Sequence, residues 1–491
     1  MTDVLLTHSY FTRFDKKQWR TMQPYPPLGT LYAASVLRNA GISVSLFDSM
    51  LAESEFEMEG YIRKYSPRIV AIYDDSFNYL TKMCLERMRI AAFRMIEIAK
   101  RKKCIVVVSS SDSADHAVEY LSRGADFVIK GEGEITLLEL CTNILRSPDD
   151  KFREIDGLSF IEDGRVVDTI ARKPIKDLDS LPLPAWDLID VENYRKHWFS
   201  ANGYFSMNIV TTRGCPFGCN WCAKPIYGRG YNVRSPKHVV EEMLFLKIHY
   251  NPDHIWFCDD IFGLRPGWLS EFQREVEHSG LKVRYKCLSR PDLLIKENSF
   301  SMLAGSGCET VWMGAESGEQ KILDAMDKGT TIEQIRSATK TLREQGIRIG
   351  YFLQFGYPGE SYNDILKTFN LVKEEMPDEI GMSVSYPLPN TKFYKIVEQT
   401  LGKKRNWRDS NDLALLFPGE FKPRFYKTLH KVLHRLHRIL RITKGGERIT
   451  PRTVAVLIYS SITLVVYHVL LQLARLPNPN RLTLSERIPT T

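Results

Sequence analysis

Along the first 150 residues, short apolar runs alternate with longer stretches whose apolar positions recur every three or four residues. The runs at 4–7, 44–47, 69–73, 104–108 and 127–130 read as buried strands. The intervening stretches at 29–40, 51–65, 79–102, 115–123 and 135–147 read as helices facing a core. Five strands alternating with five helices predict a doubly wound α/β domain on a parallel sheet over 1–150. Ligands of such sheets bind beyond the carboxyl ends of the strands. The loops expected there are Pro24-Tyr25-Pro26-Pro27-Leu28-Gly29-Thr30, Asp74-Asp75-Ser76, Ser109-Ser110-Ser111 and Gly131-Glu132-Gly133-Glu134.

The alternation then breaks. Residues 151–200 read as a connector, with a turn at Glu162-Asp163-Gly164 between two strand-like runs and an extended Leu181-Pro182-Leu183-Pro184-Ala185-Trp186. It resumes over 201–400, with candidate strands at 206–211, 254–257, 283–287, 310–313, 349–355 and 381–385 and helices such as 236–250, 267–279 and 361–375. Six β/α units predict a partial or complete β/α barrel, whose active site lies at the carboxyl ends of its strands. Residues 401–491 are expected to be a helical C-terminal region.

Composition changes this picture at two points. The net charge of +8 is concentrated: 421–452 hold four Lys and six Arg against one Glu, and the other residues together are close to neutral. A single basic segment argues against a general nucleic-acid surface and for a local role. Nine cysteines in 491 residues are too few for a disulfide scaffold, and the N-terminal residues lack the pattern of a signal peptide, so a cytoplasmic, reducing setting is expected. Six of the nine (Cys84, Cys104, Cys141, Cys258, Cys287, Cys308) are scattered and read as buried fillers.

The other three stand in Gly214-Cys215-Pro216-Phe217-Gly218-Cys219-Asn220-Trp221-Cys222, directly after the first strand of the second region. Three thiolates at this spacing can ligate one small inorganic centre and leave one of its positions open. The residues alone admit zinc with a distant fourth ligand, or an iron–sulfur cluster. No second Cys/His pair lies nearby in sequence, which favours the cluster.

The loop resembles the signature of the radical SAM superfamily. The resemblance implies that Cys215, Cys219 and Cys222 hold a [4Fe–4S] cluster whose fourth iron binds S-adenosylmethionine (SAM). An electron from the cluster then cleaves SAM to a 5′-deoxyadenosyl radical that abstracts hydrogen from an unreactive C–H bond. It further implies adenine contact for Trp221. Methionine, carboxylate or ribose contacts would fall to Asp259 and Asp260, to Ser289 and Arg290, to Glu316, and to Gly356 and Pro358, each after a later strand.

The order of α/β domain, Pro-rich linker and barrel over about 1–400 is similar to the cobalamin-binding class of that superfamily. This implies a flavodoxin-like cobalamin-binding-type domain, with Leu28, Gly29, Ser76, Ser109, Ser110, Gly131, Glu132 and Gly133 against the cofactor. No Asp-x-His-x-x-Gly occurs, so no histidine is offered as a lower cobalt ligand, and His116 reads as a helix-surface residue. Ser109-Ser110-Ser111-Asp112 stands where the class has a glycine pair. The activity implied is methyl transfer to an unactivated carbon, or alternatively oxidative cyclisation or carbon–carbon bond formation. Outside the resemblance, a non-catalytic iron–sulfur or zinc redox sensor stays open. An electron donor such as flavodoxin or ferredoxin is implied.

At the C-terminal end, Phe425, Leu429, Val432, Leu433, Leu436, Ile439 and Leu440 recur at helical spacing among lysines and arginines, which predicts a basic amphipathic helix. After Gly445-Gly446, residues 453–474 contain no charged side chain, and Arg448 and Arg452 precede them. The pair predicts contact with the cytoplasmic face of a membrane and a lipid-like substrate. The alternative is a soluble helical pair on the barrel, which the polar stripe Ser461, His468 and Gln472 would suit.

Overall fold

A computed structural model of the chain describes residues 2–146, 151–224, 226–296, 299–445, 449–479 and 481. Gly446 and Arg448 of the C-terminal reading, and residue 147 of the fifth helix, lie outside them. The chain divides into two compact units. The first is Met1–Pro216, Lys224–Arg284 and Asn406–Asp412; the second is Phe217–Ala223, Tyr285–Arg405 and Leu413–Thr491.

In the first unit, β1 (Val4–Thr7), β2 (Val44–Phe47), β3 (Ile69–Tyr73), β4 (Ile105–Ser109) and β5 (Phe127–Ile129) pair in parallel in the order 2-1-3-4-5, with helices between them. This is the doubly wound sheet that the alternating pattern predicts. Leu5, Val70, Ile72, Val106, Val108 and Val128 are almost wholly buried, as strands covered by helices on both faces must be.

Three helices start or break differently from the pattern. The stretch at 79–102 divides into Tyr79–Lys82 and Glu86–Arg101, because Cys84 adopts a left-handed conformation (φ 51°). The stretch at 51–65 becomes helical only at Glu57. Ser110 caps a short helix, Ser111–Asp115, before a second one, Ala117–Ser122. The connector contributes to the sheet as well: β6 (Leu158–Glu162) pairs antiparallel with β5, and β7 (Arg165–Asp168) pairs with β6. Residues 406–412 also pack here. Trp407 O accepts from Glu86 N at 2.9 Å, and Ser410 N donates to Asp15 Oδ2 at 2.9 Å.

The partial β/α barrel begins in the first unit. There β8 (Ser206–Ile209) is separated from β11 (His254–Phe257), which pairs parallel to it, by the short β9 (Thr212–Arg213) and β10 (Asn232–Val233). In the second unit β12 (Arg284–Ser289), β13 (Cys308–Glu316), β14 (Arg348–Phe355) and β15 (Glu379–Val384) run parallel in that order. Helices Ile332–Glu344 and Tyr362–Glu375 each open on a capping box, at Thr331 and Ser361.

The chain ends in two helices, Pro423–Lys444 and Pro451–Ala474. The first turns Phe425, Leu429, Val432 and Leu433 inward and is pinned to the turn before β15: His437 Nε2 meets Pro377 O at 2.8 Å and Arg441 pairs with Asp378 at 2.9 Å. The second lies antiparallel along it, with Arg435 Nε donating to Thr463 Oγ1 at 3.0 Å.

Candidate active site

The base of the cysteine loop is built in the first unit. β9 and β10 pair antiparallel, Thr212 opposite Val233 and Arg213 opposite Asn232, closing the loop from 214 to 231. Gly214 follows at φ 84°, and a Cβ there would overlap Gly230 O, so only glycine fits. Asp259, at the end of β11, braces the entry to the loop. Its Oδ1 accepts from Thr211 N at 2.7 Å and Thr212 N at 2.9 Å, and its Oδ2 accepts from Thr211 Oγ1 at 2.6 Å. Burial pushes its pKa up to about 6 while these hydrogen bonds pull it down. Asp260 points outward and pairs with Lys82 at 2.6 Å.

Arg213, two residues before Cys215, is fully enclosed and holds both carboxylates of Gly131-Glu132-Gly133-Glu134. It pairs with Glu132 and, at 2.8 Å, with Glu134. The rings of Tyr32, Phe77 and Tyr227 surround its guanidinium at 5.2–5.6 Å. Two buried carboxylates against one cation form an internal ion triad that fastens the loop's base to the carboxyl end of β5.

The other residues expected at that sheet end are packed against protein. Leu28 and Gly29 open a helix, and Gly29 N donates to Asp75 Oδ1 at 2.9 Å. Ser76 Oγ is 2.5 Å from Tyr227 Oη, and Tyr227 stacks on Phe77. Ser109 and Ser110 are buried, and a Cβ on Gly133 would come within 3.0 Å of Tyr73 and Ser109. Gly131 turns at φ 77°.

The second unit carries the rest of the loop. Asn220 N donates to Met326 O at 3.0 Å, and its side-chain amide donates to Ala325 O at 2.7 Å and Tyr357 Oη at 2.9 Å. Trp221 is half-buried, and its Nε1 has no hydrogen-bond partner among the described residues. Arg290, directly after β12, stacks on Phe217 at 3.7 Å, and its Nη1 lies 3.7 Å from Cys219 Sγ. Its Nε donates to Asp292 at 2.9 Å and its Nη2 to Lys328 O at 2.8 Å. Ser289 is buried beside it in sequence, at the strand end.

Glu316 closes β13 in a left-handed conformation (φ 58°), where the register with β14 shifts. A non-glycine residue held there stores about 1–3 kcal/mol of backbone strain. Its carboxylate pairs with Lys328 at 2.8 Å, both side chains being buried. Gly314 makes room for this pair, since a Cβ there would collide with both ends. Burial acts to lower the pKa of Lys328, but Glu316 and Cys219 outweigh it and hold it above its ordinary value. Gly356 (φ 77°) donates from N to Glu360 Oε2 at 2.5 Å, and Pro358 is buried in the same turn.

Cys215 and Cys219 are buried, Cys222 is half-buried, and none is in a disulfide. Among the described residues no three Cys, His, Asp or Glu side chains close on a single point. The donor set is three thiols on one loop, with the Arg290 guanidinium 3.7 Å from Cys219 Sγ. That chemistry fits the cysteine-ligated cluster the loop's spacing implies. Lys328, Asn220 and Arg213 went unread in the sequence. Lys328 follows a short helix with no motif around it, and the roles of the other two depend on partners 81 to 137 residues away.

Residues 209–372 match the radical SAM superfamily. An uncharacterized methyltransferase of Pyrococcus horikoshii is 28% identical over 391 residues, 78% of this chain and 81% of that protein. The anaerobic magnesium-protoporphyrin IX monomethyl ester cyclase of Rubrivivax gelatinosus is 27% identical over 77% of this chain and 67% of its own length. The hopanoid C-3 methylase of Methylococcus capsulatus is 25% identical over 84% of this chain and 77% of its own. Among solved structures, the cobalamin-dependent S-adenosylmethionine radical enzyme OxsB shares the fold, with a TM-score of 0.72 at 16% identity over 96% of this chain and 72% of OxsB.

Proposed function

This chain is a radical SAM enzyme, and we propose that it methylates an unactivated carbon of an apolar or lipid-like substrate, with cobalamin as the methyl carrier. The observation that carries the reading is the intact Cys215–Cys219–Cys222 loop following a doubly wound α/β domain in one chain, of which 78% is similar to a methyltransferase-named relative. The apolar substrate is supported by the relatives named for a hopanoid and a porphyrin ester.

In this reading Cys215, Cys219 and Cys222 hold a [4Fe–4S] cluster, which with bound SAM supplies the radical. The chain's own residues position and insulate it. Arg290 offers positive charge at Cys219 and, with Ser289, a place for the SAM carboxylate. Glu316, its direction set by Lys328, accepts from ribose hydroxyls. Trp221 lies against adenine, and the backbone at Gly356 and Pro358 lines the adenosine. Asp259 acts through the loop it braces, and Asp260 at its rim. Leu28, Gly29, Ser76, Ser109, Ser110, Gly131 and Gly133 form the wall offered to cobalamin, and Glu132 ties that wall to the loop through Arg213. A flavodoxin or ferredoxin supplies the electron, and the cytoplasmic face of a membrane is where an apolar substrate is met.

The test is anaerobic reconstitution with iron and sulfide, followed by assay for 5′-deoxyadenosine with and without methylcobalamin. Cells with and without the gene are then fed methyl-labelled methionine and compared by lipid mass spectrometry. The expected product gains one labelled methyl group. A product lighter by two hydrogens and carrying no label would replace methylation with oxidative cyclisation.

A further inference from the structure

The last helix, Pro451–Ala474, is long and apolar enough to cross a bilayer, at about 36 Å. Its packing decides otherwise. One stripe faces the Pro423–Lys444 helix, with Ser460 and Leu471 buried and Val456, Thr463, Tyr467 and Leu470 half-buried, and that helix is itself pinned within the second unit through His437 and Arg441. A helix seated along a folded domain on one side has only its opposite side to offer. That side is apolar: Ile458, Ile462, Val465, Val469 and Leu473 follow one another at helical spacing and are 53–70% exposed. The polar positions Ser461, His468 and Gln472 are exposed too and do not form the packed stripe.

The edges of this face are basic. Lys431 Nζ sits over the Tyr467 ring at 4.9 Å and Arg435 over Tyr459 at 5.0 Å, so the neighbouring helix sets cations along one side. Arg452 and Arg475 stand at the two ends, and 449–479 contain no Asp or Glu. An apolar face of this size is not left to water in a soluble protein. A second copy packed face to face would bring like charges together along the rim.

We infer that the outer face of Pro451–Ala474 docks in the plane of an anionic lipid bilayer, its aliphatic side chains entering the acyl boundary and Lys431, Arg435, Arg452 and Arg475 meeting phosphate headgroups. The helix lies on the membrane and does not span it. The inference stands on these two helices alone and is independent of the reaction catalysed.

The experiment is gradient flotation of the full-length protein with vesicles of phosphatidylcholine alone and of phosphatidylcholine mixed with phosphatidylglycerol. The protein is expected to float with the mixed vesicles, less with neutral ones, and to be released by alkaline carbonate. The I462E/V469E variant, altered only on the exposed face, should bind at least tenfold more weakly with an unchanged melting temperature. K431E should lose only the gain due to phosphatidylglycerol. No flotation, flotation unchanged in I462E/V469E, or retention through carbonate would overturn the inference. So would a solution dimer that this variant dissociates, since a second copy would then cover the face. Because binding is read without turnover, failure here and failure of the catalytic reading are separate results.

Discussion

At the scale of single residues, two buried charges give measurable consequences. Burial raises the carboxyl of Glu360 to about 8, against the pull of the Gly356 N–H, and its Oε1 has no partner among the described residues. The folded chain therefore keeps a proton that the unfolded chain releases above about 4.5. This carboxyl costs the fold nothing below that pH, costs progressively more as pH rises toward 8, and levels off beyond. Glu360→Gln keeps an acceptor for Gly356 N and has no charge to bury. It should raise stability at pH 8.5 by a few kcal/mol, leave it nearly unchanged at pH 4.5, and flatten the curve between, as followed by denaturant melts.

Lys328 and Glu316 give the complementary case. Lys328→Met leaves Glu316 as an unpaired buried carboxylate and should cost roughly 3–5 kcal/mol, whereas Lys328→Met with Glu316→Gln should recover most of that loss. An additive double mutant would show that the pair is not coupled. The cysteine triplet was legible from spacing alone, because its chemistry is local. Lys328 was not, because what makes it matter is a carboxylate 12 residues earlier, presented by a left-handed turn at a strand end.

At the scale of elements, the strands of the first sheet were legible to within a residue, since strands buried on both faces are written as continuous apolar runs, whereas in the second region β13 runs Cys308–Glu316 where 310–313 was expected. The helix breaks at Cys84 and around His116 were not, because caps and left-handed residues leave hydrophobic periodicity nearly unchanged. The hairpin at β6 and β7 was legible as a hairpin but not as an extension of the sheet, a choice made by its pairing with β5. The loops at the end of that sheet were found in sequence, but not what fills them. Tyr227 belongs to the cysteine loop and closes on Ser76, 151 residues earlier. If cobalamin takes that place, Tyr227→Ala should increase cobalamin retained through gel filtration several-fold; unchanged retention would put the corrinoid elsewhere.

At the scale of the whole molecule, the cysteine loop is divided between the two compact units, with Cys215 in the first and Cys219 and Cys222 in the second. A cluster held by Cys215, Cys219 and Cys222 requires the folded loop and therefore stabilises the folded chain. Anaerobic reconstitution should therefore raise the melting temperature by several degrees, and Cys219→Ala should abolish the rise. An unchanged melting temperature after stoichiometric iron uptake would mean that the iron is held as tightly by the unfolded chain as by the folded one. The sequence by itself determined the alternation of strands and helices, the thiolate triplet and the amphipathic end, since each is a pattern between near neighbours. Tertiary structure alone decided that Arg213 holds the Glu132–Glu134 loop, that Glu316 answers to Lys328, and which side of the last helix stays bare. Those depend on side chains far apart in the chain meeting where water is excluded, and no local pattern records which distant partner will arrive.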